Sequence, residues 1–203
     1  MTIRQQALDD AYVRAAGMDI EKQIISSPAY QSARTIFLYV SMNKEPSTRG
    51  ILDRALKDGK AVYVPKCLGD GEMLAVRISS MKDLVSGAFG ILEPVDSSDS
   101  ITASDLDLIL VPCLAASADG RRLGHGKGYY DRFLAEFSEN TVCLCFREML
   151  REDIAVEDHD IWMSTVITEH SLLGRSIPAN NPMRFCGKIK KYPFGEGIKE
   201  AMS

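Results

Sequence analysis

The chain has 203 residues, of which 45% are hydrophobic and 26% charged, and its formal net charge is −4 at pH 7. These values predict a globular domain with one sizeable core. The negative charge argues against a general nucleic-acid binder, because phosphate backbones favour basic surfaces. No apolar run approaches the roughly 20 residues that cross a bilayer, and no secretion signal is recognisable. We therefore expect a cytoplasmic protein without membrane partners, a monomer or a weak homo-oligomer.

The first half of the chain alternates helices with strands. Leu8, Ala11, Tyr12 and Ala15 follow helical spacing and predict a helix over residues 4–26. Runs of β-branched and aromatic residues predict strands over 34–40, 61–65 and 73–78. Between the first two strands, Ser47 or Thr48 is expected to cap a helix that stops at Gly59.

The second half continues the alternation after a polar stretch, 87–104, that we expect to be a surface excursion. Strands are predicted over 106–112, 141–145 and 164–167, with a helix starting at about Lys127. This order predicts an α/β domain, a Rossmann-like three-layer sandwich with a largely parallel central sheet. The domain is expected to span 1–173, followed by an irregular basic C-terminal tail over 174–203.

The segment RLGHGKGYYDR, residues 122–132, is the strongest functional signal. Its three alternate glycines leave the backbone N–H groups accessible, and Arg122, Lys127 and Arg132 surround them. Asp131 is the only carboxylate. A glycine turn surrounded by cationic side chains can bind a polyphosphate, and one adjacent carboxylate can bind the Mg²⁺ that accompanies it. The glycine spacing matches neither a Walker A loop nor a dinucleotide fingerprint. The alternative interpretation is a tight turn with solvated charges.

Other candidates depend on where the fold places them. Adjacent helical residues point about 100° apart, so we expect Tyr130 in the core and Tyr129 lining the turn. Asp160 is a second Mg²⁺ carboxylate if it comes near Asp131, or part of a solvated loop. Glu45 follows a strand end, where α/β sites are built, or is a solvated partner of Lys44. The five cysteines lack metal-ligand spacing and are interpreted as reduced structural thiols.

The sequence resembles the 5-formyltetrahydrofolate cyclo-ligase family, whose members are also called 5,10-methenyltetrahydrofolate synthetases. The resemblance covers about residues 7–169 and is carried, in order, by LYVSM at 38–42 with Glu45, GILEP at 90–94, DLDLILVP at 105–112, RLGHGKGYYD at 122–131, His159-Asp160 and VITE at 166–169.

This resemblance implies ATP- and Mg²⁺-dependent cyclisation of 5-formyltetrahydrofolate to 5,10-methenyltetrahydrofolate, with release of ADP and phosphate. It implies Mg²⁺ ligands at Asp131 and Asp160. The implied ATP-binding residues are Arg122, Leu123, Gly124, His125, Gly126, Lys127, Gly128, Tyr129, Tyr130 and Arg132. The implied folate-binding residues are Val40, Glu45, Phe89, His125, Gly126, Lys127, Gly128 and Tyr129. Catalytic roles are implied for Arg122, Lys127 and Tyr129.

The sequence also departs from the family pattern. Ala116 and Ser117 replace a usual Phe-Asp pair, and Met149 replaces a common glutamine. Residues 4–8 resemble the stretch that follows the family's basic N-terminal helix, so we expect that helix to be missing, with Arg4 or Arg14 as possible substitutes. Two alternatives therefore stay open: a binding protein that no longer turns over, and an ATP-dependent enzyme acting on another substrate.

Overall fold

The computed structural model describes residues 3–87, 90–135 and 139–174. Its helices are α1 (Ile3–Gln6), α2 (Asp10–Ser26), α3 (Pro28–Ser32), α4 (Arg49–Lys57) and α5 (Tyr129–Phe133). Its strands are β1 (Thr35–Leu38), β2 (Ala61–Gly69), β3 (Glu72–Ile78), β4 (Leu84–Ser86), β5 (Leu92–Pro94), β6 (Ser100–Ile101), β7 (Leu108–Pro112), β8 (Ala115–Ala116), β9 (Arg122–Leu123), β10 (Thr141–Leu144), β11 (Thr165–Ile167) and β12 (Leu172–Gly174).

Within these residues, one eight-stranded sheet has the order β12-β11-β10-β7-β1-β2-β3-β6. The five inner strands from β11 to β2 are parallel to one another, and the strands outside them pair antiparallel. The predicted α/β fold with a largely parallel central sheet is confirmed. Parallel strands end at the same edge, so the segments after β1, β7 and β10 meet there.

The inner strands are apolar because the sheet is covered. Residues 108–111 of β7 and residues 36–38 of β1 are each at most 1% exposed, as expected for strands packed on both faces. Helix α2 buries Ile20 and Ile24 in the same core. Thr48 stands at the N-cap of α4, yet its hydroxyl donates to the Tyr39 carbonyl at 2.6 Å. The residue after β1 is thereby tied to the start of α4.

Two predicted elements differ from the structure. The helix expected over 4–26 is interrupted, because the Asp9 side chain accepts from Ala11 N at 2.8 Å and begins a new helix, α2. The stretch 87–104 is not only a surface excursion, since β5 and β6 lie in it and Glu93 is buried. None of the described helices is both long and apolar enough to cross a membrane. Residues 175–203, nearly all of the predicted tail, lie outside the described residues.

Candidate active site at the glycine segment

The glycine segment connects β9 to α5 at the edge where the parallel strands end. Strand β9 pairs with β8, which follows β7, so this hairpin carries Arg122 to the sheet edge. Gly126 and Gly128 have φ angles of +78° and +67°, which side chains with a Cβ adopt only under strain. Gly128 is the N-cap of α5. The exposed backbone between these positions is the accessible turn that the sequence predicts.

Arg122 and Asp131 form a buried ion pair at the base of this turn. Arg122 Nη2 donates to Asp131 Oδ1 at 2.7 Å, and the two side chains are only 5% and 16% exposed. The Arg122 guanidinium also lies 5.7 Å from the centre of the Tyr130 ring. Its Nε is buried and makes no hydrogen bond in the described part of the chain. An unsatisfied buried donor on a cation is costly unless a ligand or water accepts from it, which fits an anion site.

Asp131 is also the point at which the second predicted carboxylate approaches. The backbone N–H of Ile161 donates to Asp131 Oδ1 at 3.3 Å, so Asp160 and Asp131 belong to one neighbourhood. Asp160 Oδ2 accepts from Glu157 N at 2.7 Å. No described hydrogen bond engages the other oxygen of either carboxylate. The described residues hold no cluster of three or more potential metal-ligating side chains. Two carboxylates with substrate phosphates are nevertheless a usual ligand set for Mg²⁺.

The tip of the β2–β3 hairpin contacts the same turn from the other side. Arg132 Nη1 donates to the Lys127 carbonyl at 2.8 Å and to the Gly71 carbonyl at 3.3 Å. The guanidinium therefore connects the hairpin to the glycine segment. Nothing in the sequence pattern indicates this link, because it joins residues 61 positions apart.

The aromatic residues of α5 face the core. The Tyr130 ring meets Phe37 edge-on at 6.3 Å, and Phe133 stacks on Phe37 at 5.0 Å. Tyr130 is therefore partly buried against the core, the side on which the sequence predicts it. Tyr129 is also partly buried and packs against the core. His125 and Leu123 are exposed beside the turn, and partial desolvation lowers the pKa of the His125 imidazole.

Glu45 lies in a loop after β1 and is buried, as is Val40. Glu45 Oε2 accepts from Met42 N at 2.8 Å, and burial raises the pKa of this carboxyl. Burial, and then the charge of Glu45, also raise the pKa of Tyr130, so Glu45 lies near α5. The alternative pairing with Lys44 is wrong, because Lys44 Nζ bonds Asp10 at 2.6 Å and the Leu8 carbonyl at 2.5 Å. Glu45 is therefore a buried carboxylate near the glycine segment, not a solvated partner of Lys44.

Met149, one of the positions that depart from the family pattern, lines a cavity beside the glycine segment. A cavity of about 300 Å³ is lined by Arg4, Leu123, Met149 and Arg151, among others. It adjoins the start of the glycine segment through Leu123. Ala116 is buried nearby and pairs with Leu150 in an isolated bridge, while Ser117 N donates to the Arg121 carbonyl at 2.9 Å. Arg4 is therefore close to the site, whereas Phe89 lies outside the described residues.

A residue that the sequence interpretation missed is Glu93. It was only one letter of the GILEP motif, but the structure buries its carboxylate, with Oε1 making no hydrogen bond in the described residues. The motif itself offers a signal, since it places an acid among the apolar residues Ile91, Leu92 and Pro94.

Comparisons with known proteins agree on one family. The model of the 5-formyltetrahydrofolate cyclo-ligase family matches residues 1–169. A probable 5-formyltetrahydrofolate cyclo-ligase of Schizosaccharomyces pombe is 29% identical over 82% of this chain and 90% of its own length. The corresponding probable enzyme of Caenorhabditis elegans is 35% identical over 73% and 79%. The solved 5,10-methenyltetrahydrofolate synthetase of Aquifex aeolicus superposes with a TM-score of 0.75 at 26% identity, covering 96% of this chain and 93% of that one.

Proposed function

The chain belongs to the 5-formyltetrahydrofolate cyclo-ligase family, and from this membership we propose that it converts 5-formyltetrahydrofolate to 5,10-methenyltetrahydrofolate at the expense of ATP. The observation that carries the proposal is the grouping of Arg122, Asp131 and Ile161 beneath the glycine turn. This grouping sets the Arg122 cation and the Asp131 carboxylate beneath the exposed backbone of the turn, and Asp160 precedes the residue whose N–H bonds Asp131.

On the nucleotide side, the phosphates lie along residues 122–132, with Lys127 and Arg132 contributing positive charge. Phosphoryl transfer needs positioning and charge neutralisation more than a protein nucleophile. The buried Nε of Arg122 is a donor that a phosphate oxygen satisfies. Leu123, His125, Tyr129 and Tyr130 border the same segment, and we assign them to nucleotide contact. Gly124, Gly126 and Gly128 supply the backbone donors.

Mg²⁺ fits the two carboxylates, each of which has one oxygen outside the described hydrogen bonds. Asp131 and Asp160 would hold it. When bound, the ion neutralises charge on the phosphates. The position of Arg122 against Asp131 keeps this carboxylate oriented before the nucleotide arrives.

On the folate side, we assign the pterin end to Glu45 with Val40, and we assign Phe89 to folate binding from the family resemblance alone. A carboxylate recognises the paired donors of a pterin ring, and burial strengthens that hydrogen bonding. Glu45 is close enough to Tyr130 to affect its pKa. The folate and nucleotide regions therefore adjoin along α5, with residues 125–129 facing both.

The chemistry has two steps in this proposal. The formyl oxygen attacks the γ-phosphate, which Lys127 and Arg122 stabilise by neutralising developing charge. N10 of the folate then attacks the activated carbon, and phosphate leaves. We assign Tyr129, at the start of α5, to positioning the formyl group.

The test is formation of the methenyl product, followed by its absorbance, from purified protein with 5-formyltetrahydrofolate, ATP and Mg²⁺. Matched reactions omit ATP. Methenyl product that forms only when ATP is present supports the cyclo-ligase function. Folate binding without product favours a binding protein, which the replacements at Ala116, Ser117 and Met149 motivate.

Three further assignments accompany the function. We propose one catalytic domain over 1–174, one residue longer than the sequence predicts because Gly174 pairs with Thr165 in the sheet, followed by the basic segment 175–203. We also propose a monomer or weak homo-oligomer in the cytoplasm. The free thiols of Cys67, Cys113, Cys143 and Cys145 suit a reducing compartment.

A further inference from the structure

Glu93 carries a buried acceptor that no role above uses. Its residue is 8% exposed, and its Oε1 is buried without a hydrogen-bond partner among the described residues. Buried polar atoms of native proteins are almost always paired, and an unpaired carboxylate oxygen is especially costly. Such an atom is expected where a ligand supplies the missing donor.

The backbone around Glu93 holds its carboxylate in place. Strand β5 pairs with β4, placing Glu93 opposite Val85, and packs on β2 and β3. A Cβ atom on Gly87 would come within 2.5 Å of Glu93 Oε2, so the absence of a side chain at Gly87 makes room for the carboxylate. The turn is closed by Gly87 N, which donates to the Ile91 carbonyl at 2.8 Å.

This carboxylate lies toward the glycine segment. Cys67 lies on β2 and pairs with Met73 of β3, near the tip of the hairpin. Arg132 connects that tip to the glycine segment by donating to the Gly71 and Lys127 carbonyls. Burial first, and then the adjacent Glu93 carboxylate, raise the pKa of the Cys67 thiol to about 11, while the charge of Lys127 lowers it. Glu93 and Lys127 thus act on the same thiol.

The reaction proposed above needs an acceptor of this kind. N10 of 5-formyltetrahydrofolate is a secondary amine, and its N–H proton must leave when N10 bonds to the formyl carbon. A general base positioned at such a proton accelerates a step by roughly 10²–10⁴-fold. None of the roles assigned to Glu45, Asp131 or Asp160 provides this base.

We propose that Glu93 is a catalytic residue that accepts the N10 proton during ring closure. This inference rests on the proposed cyclo-ligase function. Its oxygen without a partner receives the N10–H hydrogen bond when the folate binds, which directs the N10 lone pair at the activated carbon. The phosphoryl group of ATP, held by Lys127, reaches the same formyl carbon through its oxygen.

The step balances within the active site. The N10–C bond forms as the N10–H bond breaks, and the proton passes to the Glu93 carboxylate. The C–O bond to the phosphoryl group then breaks, and its electron pair leaves with phosphate. Phosphate takes the proton from Glu93, which restores the carboxylate and leaves the cationic methenyl product.

The experiment compares ADP and methenyl product in Glu93→Gln, which keeps the size of the side chain and an acceptor oxygen. We expect methenyl formation to fall about 10²-fold or more, while ADP formation falls much less because phosphoryl transfer precedes the proton step. The activated intermediate is then hydrolysed back to 5-formyltetrahydrofolate, and ADP exceeds methenyl product. Glu93→Asp, which keeps a carboxylate, should recover part of the coupling and keeps the test available if the amide variant misfolds.

Parallel losses of ADP and methenyl product would overturn the proposal, because they indicate a defect in binding or folding alone. Unchanged rates in Glu93→Gln would overturn it as well. Glu72→Gln, on the exposed face of β3, is the matched control and should behave as wild type. A wild-type protein without methenyl product would instead refute the cyclo-ligase function, and this inference with it.

Discussion

Arg122 and Asp131 face each other across the glycine turn, nine positions apart, with Nη2 and Oδ1 at 2.7 Å and little solvent access. Because Asp131 is also proposed as a Mg²⁺ ligand, one carboxylate orients the arginine and would hold the metal. Asp131→Asn removes the charge that both need. We expect a loss of about 2 kcal/mol in unfolding free energy without nucleotide, measured by urea denaturation.

The same Asp131→Asn variant should raise the KM for Mg·ATP roughly tenfold, the equivalent of one charge-assisted contact, and affect folate binding less. Asp99→Asn is the control, since its pair with Arg77 is 3.6 Å long and more than half exposed. It should change stability by less than about 1 kcal/mol. A larger effect on folate binding than on Mg·ATP would contradict the role given to Asp131.

Lys127 is exposed on the turn and is assigned to the transferring phosphoryl group. Lys127→Ala should reduce kcat by roughly 10²-fold, as removal of one transition-state charge does, with a melting temperature near that of wild type. Steady-state kinetics and thermal unfolding measure the two effects. Lys57→Ala, on the exposed surface of α4, should leave both unchanged. Near-normal turnover without Lys127 would make it an ordinary loop residue.

The hairpin tip offers a comparison between two glycines. Gly69 and Gly71 both have positive φ angles, +99° and +81°. A Cβ atom at Gly71 would overlap Arg132 Nη1, whereas one at Gly69 meets nothing within 4 Å. Both alanine variants should lose about 1 kcal/mol from backbone strain, as urea denaturation measures. Only Gly71→Ala should also raise the KM for ATP, because it displaces Arg132 from the Lys127 carbonyl. Equal KM values in the two variants would exclude this link.

Replacing Glu45 should raise the free energy of unfolding at pH 7 and weaken folate binding. Burial raises the pKa of its carboxyl above the ordinary 4.5, so the folded protein holds the proton more tightly than the unfolded chain. The wild-type stability contribution is therefore complete below pH 4.5 and is lost as pH rises through the folded pKa. Glu45→Gln should be more stable than wild type at pH 7, with the difference vanishing in acid, and should bind 5-formyltetrahydrofolate more weakly.

Thermal unfolding at several pH values and folate titration without ATP check this prediction. The glutamine can still accept from Met42 N, so the loop after β1 keeps its hydrogen bond. Stability that is lower than wild type at pH 7 would show that the carboxylate is better satisfied than its burial indicates.

The glycine segment could be predicted from sequence because its turn depends on a short run of residues. Three glycines, three cations and Asp131 are adjacent in the chain, and the turn after β9 follows from their backbone freedom. The alternating elements likewise predict the parallel sheet, since each buried strand has a local apolar pattern.

Contacts between distant elements could not be predicted in this way. Glu93 is buried because β5 packs on β2 and β3, and Arg132 reaches a hairpin far along the chain. Lys44 turns to Asp10 rather than to Glu45 because a new helix, α2, begins at Asp10 after its N-cap Asp9 instead of continuing the earlier helix. In each case a tertiary partner, absent from the local pattern, decides the side chain's position.

The most direct measurement is the ratio of ADP to 5,10-methenyltetrahydrofolate produced by the wild-type protein from 5-formyltetrahydrofolate and Mg·ATP. If phosphoryl transfer and ring closure are coupled at the glycine segment, one ADP forms per methenyl product. Neither product forms when either substrate is omitted. ADP released at the same rate without folate, or no methenyl product while folate is bound, would contradict this account.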